Sequence, residues 1–127
     1  MQIQRRLCVI LLNSANQLVL QTQQQYWTAI ALESINTHSM EVALTQMLFE
    51  QYQWRIQVIE QAFSLEHALT EELFLRQWYY VCRLIEPYDD LVHPLYVHPL
   101  HQVNELDLRP IRFKTYLVEH LERLQGL

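Results

Sequence analysis

The only glycine in this 127-residue chain is Gly126. A chain so poor in glycine cannot build a loop whose backbone amides wrap a phosphate, which rules out a P-loop and a Rossmann dinucleotide fingerprint. Turns that need positive φ must use asparagine, the next most tolerant residue type, at Asn13, Asn16, Asn36 or Asn104. Any phosphate held by this chain is held by side chains or through a metal ion.

Half of the residues are hydrophobic and 18% are charged, a composition that favours folding over disorder. The length predicts one domain spanning 1–127. Fourteen acidic residues against nine basic ones give a net charge of −5, which repels a nucleic-acid backbone. A small phosphorylated ligand stays compatible with that field, because a local basic cluster or one metal ion can hold it. Cys8 and Cys82 lie in apolar, strand-like runs and are expected to behave as small buried hydrophobes without a disulfide. Arg5 and Arg6 precede an apolar run, but Leu7 to Leu12 is shorter than a signal-peptide core. With no apolar stretch near the ~20 residues of a membrane span, the expectation is a cytoplasmic chain with no membrane partner.

Periodicity organises the chain. Arg6 to Leu12, the turn Asn13 to Asn16, and Gln17 to Gln21 predict a hairpin, and Tyr26 to Leu32 a third strand. Ser39 is placed to cap a helix through Met40, Ala43, Leu44, Met47, Leu48 and about Tyr52. Trp54 to Ile59 and Phe74 to Ile85 predict strands, with a short helix or turn at Leu65 to Glu72 between them. Glu86 to Leu106, with three prolines and His93, His98 and His101, predicts a long surface loop. Pro110 then opens an amphipathic helix over Ile111 to Leu124.

This α+β order resembles the Nudix (MutT-like) hydrolase family, a mixed sheet packed between helices. Arg6 to Asn13 followed by Gln17 to Leu20 is similar to that family's opening hairpin, Trp27 to the aromatic before its catalytic box, and Leu106 to Pro110 to its closing segment. Setting the family's signature box on Ala43 and Leu48 puts its opening glycine at Leu32 and its first glutamate at His38. Its arginine–glutamate pair then falls on Gln46 and Met47, its later glutamates on Glu50 and Gln51, and its closing glycine on Gln53. Leu48 and Glu50 obey the box, and Trp54 is a looser match at its final aliphatic position. The resemblance therefore implies a divergent member with a depleted box.

In that family the helix carboxylates hold Mg2+ or Mn2+ against a diphosphate and activate water. Hard cations take oxygen donors, so a thioether at Met47 suits packing, and Gln46 lacks the charged fork that orients a carboxylate. Glu50 remains as the candidate catalytic and metal-binding residue, against the ordinary reading of a solvated helix glutamate. Glu41, Glu33, Asp89 and Asp90 are the carboxylates that can assist it. Glu41 sits roughly two and a half helical turns from Glu50, so an ideal helix points the two to different sides.

Other groups have plainer readings beside functional ones. His93, His98 and His101 match no tight zinc spacing and read as loop residues. Trp27, Trp78 and Tyr80 are the candidate ligand-binding residues, as aromatic faces for a nucleobase, although most aromatics in such runs are core. Alternation from Trp78 to Val81 sends one pair to each sheet face. Arg5, Arg6, Arg76 and Lys114 are available for phosphate. No serine lies in a nucleophile-elbow pattern.

The expected function is a divergent Nudix-like domain that binds a nucleotide or a nucleoside-diphosphate-linked ligand with weak or absent hydrolysis. The alternatives are an active metal-dependent hydrolase with non-standard ligands, and a protein-interaction module open to a partner or to a homodimer.

Overall fold

The computed structural model describes residues 2–32, 39–85, 91 and 93–127. Glu33, Asn36, His38, Asp89 and Asp90 lie outside the described residues.

Strand β1, Gln2–Leu12, organises the sheet. It runs parallel to β6, Leu73–Leu84, in unbroken register from Gln2 opposite Leu73 to Leu12 opposite Arg83. Its other edge is shared. Leu11 and Leu12 pair antiparallel with β2, Gln17–Gln23, while Leu7 to Val9 pair with β4, Ile30–Leu32. Beyond β6 lies β5, Ile56–Ala68, and beyond β2 lie β3, Tyr26–Thr28, and β7, Leu95–Pro99.

Alternation along β1 feeds two cores. Cys8, Ile10 and Leu12 pack with Tyr79, Val81, Phe113, Tyr116, Leu117 and Leu124. Leu7, Val9 and Leu11 pack on the other face with Tyr80, Cys82, Ala43, Leu44 and Leu48. Because helices cover both faces, Leu7 to Leu12 is apolar at every position, the signature of a strand buried on both sides. The expected mixed sheet between helices is the observed architecture.

The first turn forms as its residues dictate. Asn13 Oδ1 accepts hydrogen bonds from the amides of Ala15 (3.0 Å) and Gln17 (2.8 Å), and Asn16 takes φ 57°. The wider expectation about positive φ needs correction, since among the described residues Gln24 (φ 56°) and Gln53 (φ 59°) are left-handed while Asn13 and Asn104 are not. Turn closure and helix termination impose those angles against residue preference.

Four further expectations are corrected. The third strand is two pieces split at Ala29, because the chain changes partner there from β2 to β1. No helix occupies Leu65 to Glu72: β5 runs on to Ala68, and two bulges, at Val58/Glu60 and Gln61/Phe63, scramble the alternation that would have revealed it. The segment expected as a loop holds β7 and a 3-10 helix, Leu100–Glu105; β7 is an outer strand, where proline is tolerated. The closing helix is α2, Ile111–Glu119, and α3, Leu121–Gln125, separated at His120. That break lets Leu124 reach the same core as Phe113 and Leu117.

Candidate functional site

Helix α1, Met40–Tyr52, forms the centre of the candidate site. Ser39 caps it as expected, its hydroxyl accepting from the Val42 amide at 3.3 Å. Ala43, Leu44 and Leu48 face the sheet and are buried. Gln53 ends the helix in the left-handed conformation, with its amide returned to the carbonyls of Leu48 and Phe49. Trp54 then turns back into the core and stacks on Tyr52 at 4.3 Å between ring centroids.

Between those anchors, Met47 is half-buried and packs against the α1-side core, whereas Gln46, Glu50 and Gln51 are exposed. Glu41 lies elsewhere on the helix. Its carboxylate acts on Tyr80 and Cys82 of β6: burial first and Glu41 second push the Tyr80 phenol upward and the Cys82 thiol up to about 12. An open depression of about 360 Å³, lined by Glu41, Val42, Thr45, Gln46 and Val58, runs between α1 and β5. Among the described residues no group of three or more His, Cys, Asp or Glu side chains is arranged to hold a metal ion. One carboxylate, a thioether and an amide do not make a hard-cation site on this stretch of α1.

The three candidate aromatics do not come together. Trp27 packs against the core beneath α2, while Trp78 and Tyr80 belong to the core beneath α1, on the opposite sheet face. The Trp27 ring meets His98 edge-on at 4.3 Å and Tyr96 at 5.6 Å. Its amide donates to Asp107 O at 2.8 Å and its carbonyl accepts from Arg109 at 2.9 Å, so the Leu106 to Pro110 segment is tied to this strand. Arg109 grips Asp107 with two hydrogen bonds and lies 4.6 Å from the Tyr26 ring. Of the loop histidines, His93 pairs with the Tyr96 hydroxyl at 3.1 Å, and burial lowers the pKa of His98.

The basic candidates divide in the same way. Lys114 is committed to the carbonyls of Asn104 and Leu106, and Arg6 acts on Cys8 and Tyr79 beneath α2. Arg5 and Arg76 face each other across the β1–β6 ladder, and Glu66 pairs with Arg76 at 3.0 Å. Sequence reasoning missed the Glu41 environment, the α1–β5 depression and this arginine row. Only the β1–β6 register, invisible in the chain itself, brings Arg5 and Arg76 together.

No family model and no curated protein sequence matches the chain. Solved structures do match. The solution structure of the E. coli ORF135 protein is similar with a TM-score of 0.70 at 14% identity, over 94% of this chain and 91% of that one. The C. elegans Ap4A hydrolase gives 0.70 at 12% identity, over 96% and 98%. A MutT protein from Methanosarcina mazei Go1 gives 0.67 at 11%, over 98% and 94%. Likeness at such identity establishes the fold, and the fold is the Nudix α+β arrangement. No described helix is long and apolar enough to cross a membrane.

Proposed function

We propose that the chain is a divergent Nudix-fold domain that binds a nucleotide or nucleoside-diphosphate-linked ligand and hydrolyses it weakly or not at all. The observation that carries this reading is the make-up of α1 in a register supported by three anchors. Leu48 is buried where the box has its aliphatic residue, Gln53 is left-handed where the box has its closing glycine, and Trp54 is buried where it ends. In that register the three carboxylate positions hold Met47, Glu50 and Gln51.

A Mg2+ or Mn2+ ion bound here would polarise a diphosphate and lower the pKa of attacking water. Glu50 alone offers a hard oxygen anion among those three side chains. The protein is therefore expected to retain a folded ligand-binding surface while lacking the charge needed to assemble the metal cluster.

Incubation with Mg2+ or Mn2+ and a panel of nucleoside triphosphates, dinucleoside polyphosphates, ADP-ribose and dinucleotides tests the reading. Binding without turnover is expected; robust turnover that Glu50→Gln abolishes would establish the active-hydrolase alternative instead. Neither binding nor turnover would favour protein contact through the exposed Val42 and Phe49 of α1. The triple substitution Gln46→Arg, Met47→Glu and Gln51→Glu restores the central charges and is expected to create divalent-metal binding. A folded triple variant without it would disprove the register.

A further inference from the structure

The sheet outruns its helices at one end. Gln2 to Arg5 of β1 and Glu66 to Ala68 of β5 are exposed, and Ile3 keeps 43% of its surface accessible. On the α1 side of this end, strand alternation puts Ile3 and Arg5 in line with Leu7, and Phe74 and Arg76 in line with Trp78 and Tyr80. Register completes the arrangement: Arg76 has Arg5 opposite it on β1 and Glu66 opposite it on β5. Three adjacent strands thus carry a row of Glu66, Arg76 and Arg5 beside a half-buried tryptophan.

The charges in that row do not balance. Like charges directly opposite each other on a sheet repel, and neighbouring strands are only about 4.8 Å apart. Glu66 neutralises Arg76, with Oε2 at 3.0 Å from its Nη2, but Arg5 makes no ion pair among the described residues. The Arg76 guanidinium also lies 5.9 Å from the Trp78 ring centroid. A net positive row with Arg5 and Glu66 exposed and Arg76 half-buried, in a chain of charge −5, suits an anion that carries an aromatic ring.

We propose that this row seats the phosphates of an aromatic phosphate ester, in the simplest case a nucleoside diphosphate, with Arg5 and Arg76 holding the phosphates and Trp78 supporting the base. Glu66 is then an internal counter-ion that the incoming phosphate displaces from Arg76. The assignment rests on the nucleotide-binding reading above and gives it residues. Displacement is cheap because the Glu66 and Arg76 side chains are 48% and 36% exposed, and ion pairs so open to water are weak. Guanidinium forks match phosphate oxygens in a way that a single carboxylate contact does not exhaust.

Calorimetric titration of the full chain with ADP and with inorganic pyrophosphate, at low ionic strength and with a chelator present, tests this. Arg5→Gln is expected to weaken both ligands by about tenfold, the loss of roughly one charge-assisted contact. Arg112→Gln removes the same charge from the other side of the molecule, where Arg112 lies over Phe63, and should leave both affinities unchanged. Glu66→Gln should tighten both, and Trp78→Leu should weaken ADP alone. Melting curves of each variant verify that it is folded. If ADP binds but Arg5→Gln behaves like Arg112→Gln, or Glu66→Gln fails to tighten binding, the row is not the seat and the nucleotide-binding reading stands without it. Wild-type protein that binds neither ADP nor pyrophosphate also overturns the row, and the wider ligand panel then judges the broader reading separately.

Discussion

Gln53 holds φ 59° and ψ 30°, a conformation that costs a residue with a Cβ roughly 1–2 kcal/mol and glycine almost nothing. The helix end demands it, because a left-handed residue at this position turns the next amide, that of Trp54, back to the Leu48 carbonyl at 3.4 Å. Gln53→Gly is therefore expected to stabilise the protein by roughly 0.5–1 kcal/mol, once the greater freedom of glycine in the unfolded chain is subtracted. Urea denaturation measures it, and a loss of stability would mean that the Gln53 side chain makes a compensating contact. The position was legible in the sequence through the box alignment; the angle was not, since a glutamine announces no turn.

His98 gives a second residue-scale test. Its Nε2 is buried with no hydrogen-bond partner among the described residues, and burial lowers its pKa from 6.5. The folded state therefore resists a proton that the unfolded chain accepts. Stability is full above pH 6.5 and declines as pH falls below it, until the folded pKa is passed and the loss levels off. Melting curves across that window should show a decline that His98→Gln, which cannot protonate, reduces. An identical decline in both proteins would assign the effect to other groups.

Elements were legible where one period governed them and one partner answered them. α1 could be read from Ser39 and the spacing of Ala43, Leu44 and Leu48 because a helix carries its own hydrogen bonds and shows one apolar stripe. β5 was read only as far as Ile59; its continuation to Ala68 was not, because two bulges break the alternation there. β7 was hidden for a related reason, its proline-flanked strand being defined by its ladder with β2. The cap is the local feature most open to test. Ser39→Ala should cost about 1 kcal/mol, since it leaves a first-turn amide without its side-chain acceptor. Guanidinium denaturation monitored by circular dichroism reads this change, and a cost near zero would show that water or another group replaces the hydroxyl.

At the scale of the molecule, the chain is one sheet with a core on each face, and β1 belongs to both. The candidate site was only partly legible for that reason. Which face a side chain serves follows from alternation, but which side chains meet across the sheet follows from the parallel β1–β6 register, which no local pattern encodes. Trp27 and Trp78 are thus separated by the sheet, while Arg5 and Arg76 are joined by it. The same geometry makes a prediction about cooperativity. Leu11 and Leu12 are adjacent in sequence, fully buried, and point into opposite cores. Leu11→Ala and Leu12→Ala should each cost about 2–5 kcal/mol by leaving a cavity. If β1 couples the two cores, each substitution lowers a single transition, and tryptophan fluorescence and far-ultraviolet circular dichroism give coincident curves. Trp54 and Trp78 lie against the α1-side core and Trp27 against the other, so a core that melted alone would separate the two signals. Non-coincident transitions in Leu12→Ala, with the α1 side surviving longer, would show that β1 does not transmit the loss across the sheet.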